Sequence, residues 1–593
     1  MNEFRFSPRQ NRASEIAWRP WGADSFTEAK LAQRPILLAI SAVWCHWCHV
    51  MDETTYSDPA VIRLVNERYV PVRVDNDKRP DVNRRYNMGG WPTTAFLTPD
   101  GEIITGGTYI PPEVMRRYLD QVSDLYRDRG AELEQRVAEV RLQEAQRGRE
   151  LAGPLRWSIV EDVIGHIRGL YDPQYGGFGR EPKFPQPHLL RLLLDEYRRY
   201  RHDDVATMLH KTLAAMASGG MHDAVEGGFY RYATTRQWDV PHYEKMLEDN
   251  SELLAVYAEA HRTFPQSGYD RVARDVLDWS RRVLWRPDAQ LFGGSQDADE
   301  HYFTLDAEGR RALPQPYVDP VVYANRNALA ASGFIDASLA LGNSDVLGVA
   351  AQVLGAIRAR LWDDASGSYH FDAGSGPQLP ALLTDLAALL AAQLDLYEAG
   401  AGGSALAFAR AVGEKLLALE DTEHGGFFDA LERGEPGRVS RRDRPIEDNA
   451  IAADGLLRLA TVTSEERWRE AAIRGLRSFA GEYRESGQFA ASYARAVARA
   501  LAEPLHVVVT GPATDGLANA LWRAALACDD PARVLERFDP ARDRTRMEGL
   551  GYVTSDVAAY VCVGTTCSAP ISDVDALRRE LDRARARFAA LVR

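Results

Sequence analysis

Trp44-Cys45-His46-Trp47-Cys48-His49 is the densest run of reactive side chains in the sequence. Cysteines spaced Cys-x-x-Cys can cycle between dithiol and disulfide, Cys45 as the nucleophile and Cys48 resolving a mixed disulfide. The apolar run Pro35-Ile-Leu-Leu-Ala-Ile40 just before them reads as a buried strand. Cys45 is therefore expected where a strand ends and a helix begins. The unpaired N–H groups of a helix start favour thiolate, and a protonated His46 would favour it further. The same residues admit other chemistry. Cys-x-x-Cys-His is also the attachment signature of c-type haem. Cys45 and Cys48 with His46 or His49 form part of a zinc set, but no second ligand pair with firm spacing follows, so no metal and no cofactor are assigned. A third reading is a redox-inert remnant.

A second group of polar residues is spread along the middle of the chain. Pro241-His-Tyr-Glu-Lys-Met-Leu-Glu-Asp-Asn250, Asn325-Arg-Asn327, Thr384-Asp385 and Glu447-Asp-Asn449 each open a helical stretch, and Glu-Asp-Asn occurs in two of them. Carboxylates, histidines and aromatics around a cleft suit sugar chemistry, since rings stack on sugar faces and carboxylate or imidazole serves as acid and base. His242 and Glu244 are the candidate acid/base pair. Asp249, Asn250, Asp448 and Asn449 are candidates for holding hydroxyls, with His222, Asp223, Trp238, Asp297 and Asp299 added from loops. The competing reading of any lone Asp or Asn near a helix start is a cap.

These residues need elements to place them. Around the cysteines the order is strand, helix over 58–69, strand at Val70-Pro-Val-Arg-Val74, then Thr94-Ala-Phe-Leu97 and a hairpin turn at Pro99-Asp-Gly101. That is a small α/β domain, and a charged helix from Pro112 to Arg149 leads away from it. From Ser158 the pattern is helix after helix, in six pairs: roughly 158–170 with 187–201, 204–218 with 244–264, 269–285 with 323–341, 345–361 with 380–399, 404–418 with 446–461, and 465–483 with 490–502. The loops inside the pairs share an aromatic–glycine signal: Gly176-Gly-Phe178, Gly227-Gly-Phe229, Phe292-Gly-Gly294, Gly367-Ser-Tyr369, Gly425-Gly-Phe427 and Gly487-Gln-Phe489. Six hairpins with long internal loops match a closed (α/α)6 toroid whose inner ring is the second helix of each pair. An open solenoid is the alternative. In the tail, Leu505-His-Val-Val-Val-Thr510 and Ala558-Ala-Tyr-Val-Cys562 read as strands and Asp573 to Val592 as an amphipathic helix. The fold class is thus multidomain: an α/β domain with its connector helix over 1–149, an all-α (α/α)6 toroid over 150–503, and a mixed α/β segment over 504–593. Cys562 and Cys567 are either a second thiol pair or two ordinary cysteines at a strand end.

Composition narrows the partners. A net charge of −14 over 593 residues argues against nucleic acid as a partner, since phosphate needs clustered Lys and Arg. No apolar run approaches the length that spans a bilayer, so no membrane is expected. Met1 to Trp18 is polar and charged, without the apolar core of a signal peptide, and the chain has only five cysteines. A cytoplasmic location is the expectation, with a sugar or other small molecule in the toroid and a thiol-bearing client protein at the cysteines as candidate partners.

Several motifs together resemble the YyaL / spermatogenesis-associated protein 20 family. They are Trp18-Arg-Pro-Trp-Gly22, Cys45 to Met51, Val74-Asp-Asn-Asp-Lys-Arg-Pro-Asp81, Gly89-Gly-Trp-Pro92, Phe96-Leu-Thr-Pro-Asp-Gly101, Gly106-Gly-Thr-Tyr109, Gly176-Gly-Phe-Gly179, Pro182-Lys-Phe-Pro185, Gly227-Gly-Phe-Tyr-Arg-Tyr232 and Pro241 to Asn250. The resemblance implies a DUF255 thioredoxin-like domain fused to a six-hairpin, glycosidase-like toroid, and covers most of the chain. A thioredoxin-like fold also implies a cis Pro92 packed against the cysteine pair. Two departures stand out. The segment between Tyr86 and Gly89 is short, and Ala39 stands where thioredoxin has a buried proton-moving acid, which weakens the expectation of reductase activity. Function is expected to be a carbohydrate-active toroid, hydrolase or epimerase, carrying a redox-type cysteine pair. The alternatives are a thiol–disulfide oxidoreductase whose toroid holds the client and a non-catalytic binding scaffold.

Overall fold

The computed structural model describes residues 4–147, 152–553 and 555–591. The chain forms two compact units: Met1–Glu150 with Ser295–Asp319 and Ala430–Asp443, and Leu151–Gly294 with Pro320–Asp429 and Arg444–Arg593.

The first unit is built on β1 (Ile36–Ser41), α1 (His46–Glu53), β2 (Val70–Asp75), β3 (Thr93–Leu97) and β4 (Ile103–Gly107). The sheet order is β2-β1-β3-β4, with β1 parallel to β2 and antiparallel to β3, and β3 antiparallel to β4. This is the thioredoxin-like arrangement. β1 is apolar without alternation because both faces are covered. Leu37 and Ala39 meet Met51, Tyr56 and Val65 on one side. Ile36, Leu38 and Ile40 meet Phe26, Val82 and Tyr86 on the other. Helix Pro59–Arg68 starts where Asp58 accepts from the N–H groups of Ala60 and Val61, with Pro59 in its first turn. The connector helix is described over Pro112–Arg147, and its expected end at Arg149 lies outside the described residues.

Two stretches expected to belong to toroid loops are part of this unit instead. In 430–443, the Arg438 N–H donates to Tyr86 Oη at 2.7 Å, and Arg433 pairs with the buried Asp81 at 3.0 Å. Gly437 is left-handed (φ 62°), and a Cβ there would lie 2.4 Å from Tyr86 Oη, so only glycine fits. In 295–319, Tyr317 stacks under the Arg5 guanidinium at 3.3 Å.

The second unit is a closed ring. Its inner helices are α2 (Pro187–Tyr200), α3 (Leu247–Thr263), α4 (Ala324–Leu341), α5 (Leu383–Leu396), α6 (Ile446–Thr463) and α7 (Ala491–Leu501). Each packs on the next, and α7 packs back on α2, which rules out the open solenoid. The outer layer is formed by Trp157–Leu170, Asp203–Ser218, Tyr269–Trp279, Ser344–Arg360, Gly403–Leu417 and Glu466–Ser478, each against an inner helix.

The hairpin loops repeat one construction. Asp172, Asp223 and Asp421 each accept two backbone N–H groups of their own turn. The second oxygen of each faces a cation, Lys183 at 2.9 Å, Lys245 at 2.6 Å and Arg444 at 3.5 Å. Each cation also donates to the carbonyl of the first glycine, Gly176, Gly227 or Gly425. Asn250, Asn327 and Asn449 then pin the loop aromatics: each accepts from the N–H of Phe229, Phe292 or Phe427 and donates to that residue's carbonyl and to the carbonyl four residues back along its own chain.

The tail contains β5 (Leu505–Thr510), α8 (Gly516–Leu526), β6 (Arg533–Phe538), β7 (Ala558–Val563), β8 (Thr566–Cys567) and a last helix, Val574–Leu591. The expected helix end at Val592 lies outside the described residues. The sheet order is β6-β5-β7-β8, with β5 parallel to β6 and antiparallel to β7, and β7 antiparallel to β8. The order of elements, the strand order and the strand senses are those of β2-β1-β3-β4. The mixed α/β segment is therefore a second sheet of thioredoxin-like topology.

Candidate functional sites

Cys45 ends the loop after β1 and is the N-cap of α1, its sulfur accepting from the Cys48 N–H at 3.2 Å. Cys45 and Cys48 are joined as a disulfide and are both buried. The peptide bond before Pro92 is cis, as expected. Trp91 lies edge-on to Trp44, whose indole N–H donates to Asp77 at 2.7 Å. Trp47 leans on Tyr109 and is 44% exposed, the large apolar side chain that α1 offers to solvent next to the cysteines.

The histidines beside the cysteines face the 295–319 segment of the same unit. His46 Nδ1 lies 3.9 Å from Glu300, and His49 Nε2 lies 3.8 Å from Asp297. Burial pushes the His49 imidazole down to about 4, with Arg5 adding to the effect against the pull of Asp52 and Glu53. Asp52 is held bidentately by Arg73 at 2.8 and 2.9 Å.

In the second unit the starts of the inner helices surround a polar mouth. A cavity of about 270 Å³ is lined there by His188, Glu248, Glu252, Asn325, Thr384, Glu447, Asp448 and Phe489, among others. It shares His188, Glu252 and Ile451 with a deeper well of about 220 Å³ down the ring. The well is walled by Arg191, Glu259, Asp336 and Asp395 and floored by Asp529, Asp530 and Arg533 of the tail. His188 Nε2 sits 2.9 Å from Glu252 and 3.0 Å from Glu447. Burial alone would lower the imidazole, but the two carboxylates raise it to about 9, so it is charged at neutral pH. Burial pushes Glu447 up, with Glu252, Asp448 and Glu248 adding against His188.

His242 Nδ1 is 3.8 Å from Glu244. Burial would lift the Glu244 carboxyl, but His242 and Arg231 hold it below the usual range. Arg231 also pulls on Asp249, which burial and the adjacent Glu248 push up to about 7. The His242 ring stacks on Tyr232 at 4.6 Å, and Tyr232 on Phe184 at 4.7 Å, so a three-ring column ends on a face that is 39% exposed.

Six residues expected to hold substrate are placed otherwise. Asp223, Asn250 and Asn449 are buried and spend their hydrogen bonds on the loop construction. Trp238 is enclosed, its ring filling the space a Cβ on Gly177 would need, at 2.4 Å. Asp297 belongs to the first unit, beside His49. Asp299, also in that unit, caps the helix Glu300–Phe303. His222 lies against Phe229, 3.9 Å from Asp275. Asp249 stands in the first turn of α3, and Asp448 lines the mouth.

His188, Glu252 and Phe184 were missed. The signal available for His188 was its place at the start of an inner helix, equivalent to the starts that were read. Glu252 sits one turn inside its helix, and Phe184 in a loop motif that gives no sign of its exposure.

These features define a class: a thioredoxin-like domain with a helix-start disulfide, followed in the chain by a six-hairpin helical ring. Residues 7–144 match the family model Thioredox_DsbH, described as a protein of unknown function, DUF255. The chain is 26% identical to spermatogenesis-associated protein 20 of Homo sapiens, over 96% of this chain and 90% of that one. It is 34% identical to the uncharacterized protein B0495.5 of Caenorhabditis elegans, over 49% of this chain and 42% of that one. Among solved structures, a D-mannose isomerase aligns over 58% of this chain and 96% of its own, with a TM-score of 0.48 and 11% identity. Among the described residues no helix is long and apolar enough to cross a membrane.

Proposed function

We propose that the first unit carries out thiol–disulfide exchange. The observation that supports this is the Cys45 sulfur as N-cap of α1, disulfide-bonded to Cys48. A client thiolate attacks Cys45 Sγ. The client–Cys45 bond forms, the Cys45–Cys48 bond breaks, and Cys48 leaves as a thiolate that takes up a proton. A second client thiolate then attacks the client sulfur of the mixed disulfide and releases Cys45 as a thiolate, which the helix start stabilises. Two electrons pass from the client dithiol to the pair, and the reverse sequence reduces a client disulfide. The test is alkylation and mass analysis across glutathione redox buffers. A reversible Cys45–Cys48 couple, abolished in Cys45→Ser and replaced by a trapped mixed disulfide in Cys48→Ala, is the expected result. Cysteines that stay unreactive across the whole range would end the reading.

The aromatic column favours a second activity in the ring. A sugar stacked on the exposed face of Phe184 would rest on the column at the end away from His242, which suits recognition of a carbohydrate by stacking. A panel of mono- and oligosaccharides screened by melting temperature tests it. The expected result is a shift with one sugar class that Phe184→Ala and His242→Ala remove. A flat panel counts against it.

A further inference from the structure

The tail repeats the topology of the first unit, but its chemistry lies elsewhere on the sheet. After β1 the helix start is capped by Cys45, and after β5 it is capped by Asp515, which accepts from the Ala518 N–H at 2.8 Å. The helix start of the tail therefore has no thiol. Two of its three cysteines, Cys562 and Cys567, stand on the β7–β8 hairpin, directly opposite one another in register and joined as a disulfide. Cys562 is 4% exposed, whereas Cys567 lies on the exposed β8. Residue 506 on β5 is the register partner of Cys562 on its other side. Side chains at opposed positions share a face of the sheet. Cys567, Cys562 and His506 consequently form a row across β8, β7 and β5. Behind His506, its Nε2 at 2.8 Å from the carboxylate, is the fully buried Glu536, which also holds Arg546 and accepts from Tyr397.

We propose that this row is a second thiol–disulfide exchange site, attacked at Cys567 by a low-molecular-weight thiol. The hairpin encloses only 563–566, so the crosslink removes little chain entropy and opening it costs the fold little stability. The exposed sulfur is the one an incoming thiolate can reach, and the buried one is the leaving group. The thiolate RS⁻ attacks Cys567 Sγ. The RS–Cys567 bond forms, the Cys567–Cys562 bond breaks, and its electron pair leaves on Cys562. The Cys562 thiolate takes up a proton from water by way of the His506 ring, its register neighbour on β5. A second RS⁻ attacks the R sulfur, giving RSSR and a Cys567 thiolate that water protonates. Two thiols are oxidised to one disulfide and the hairpin is reduced to two thiols. The site is independent of the Cys45–Cys48 reading, because it uses none of those residues.

The test uses the full-length chain carrying Cys45→Ser and Cys48→Ser, so that the first pair contributes nothing. The protein is equilibrated in graded reduced and oxidised glutathione, and the cysteines are alkylated and identified by mass. Cys528 serves as the internal control. The expected result is a reversible Cys562–Cys567 couple within the buffer range. In Cys562→Ser, a glutathione adduct should form on Cys567. His506→Gln should slow reduction at pH 7 by about tenfold or more and flatten its pH profile while the chain stays folded at the assay temperature. A pair that stays fully oxidised or fully reduced at every ratio, or an adduct that forms on Cys562 in Cys567→Ser but not on Cys567 in Cys562→Ser, overturns the proposal. An unaltered rate and pH profile in His506→Gln removes the role given to His506.

Discussion

Cys45 is both a helix cap and half of a disulfide, and His188 is an imidazole clamped between two carboxylates. In each case the neighbours that shape a single side chain's chemistry can be named. Because Glu252 and Glu447 raise the folded His188 to about 9, its contribution to stability is complete below the unfolded value near 6.5. It is lost as pH rises through about 9. Melting temperature should therefore fall between pH 7 and 9.5 more steeply in the native chain than in His188→Gln. At pH 7 that variant should lose about 1–2 kcal/mol, because two carboxylates are left facing each other. Asp249 behaves in the opposite sense. Its carboxyl is raised to about 7, so the folded state resists its ionisation. Asp249→Asn should stabilise the chain at pH 8 by about 1 kcal/mol, and the gain should vanish near pH 4. Equal melting curves for variant and native chain at pH 8 would refute the argument.

At the scale of elements, the hairpin loops are the clearest case of sequence and structure meeting. The aromatic–glycine signal correctly marked the loops, but the Glu-Asp-Asn triplets were read as ligand-binding when their asparagines serve the loops. The reason is physical: an Asn at a helix start can satisfy a buried backbone or a hydroxyl equally well, and only its burial decides. Asn250→Ala would strand the Phe229 N–H and carbonyl in the core, and should cost about 2–4 kcal/mol in urea unfolding. A loss below half a kilocalorie would show that the loop is held by other means. Lys245→Ala should cost about 3–5 kcal/mol by removing the cation that faces the buried Asp223 carboxylate. The double variant Asp223→Ala/Lys245→Ala should recover part of that loss in a double-mutant cycle.

At the scale of the molecule, the unit that carries Cys45 is completed by two segments from far along the chain. Asp81, Tyr86 and Glu102 find partners in 430–443, and His46 and His49 face 295–319. A fragment of residues 4–147 lacks all of these partners. Its β1 and β3 amides should exchange hydrogen faster than the same amides in the full chain, measured at one pH and temperature. Equal protection in the two would mean that the added segments contribute nothing to stability.

The order of strands and helices around Cys45, the six hairpins and the helix-start cysteine pair were fixed by local information: apolar runs, turn residues and spacing. Ring closure, by contrast, required α7 to meet α2, a contact between distant residues that no periodicity encodes. The duplicated topology of the tail was hidden for a similar reason. β6 reads Arg-Val-Leu-Glu-Arg-Phe, too charged for a buried strand until Arg546 and Tyr397 are seen to donate to one oxygen of Glu536, with His506 beside the other. Local periodicity determines which elements form, whereas pairing between distant buried charges determines which of them join and which polar residues are left to do chemistry.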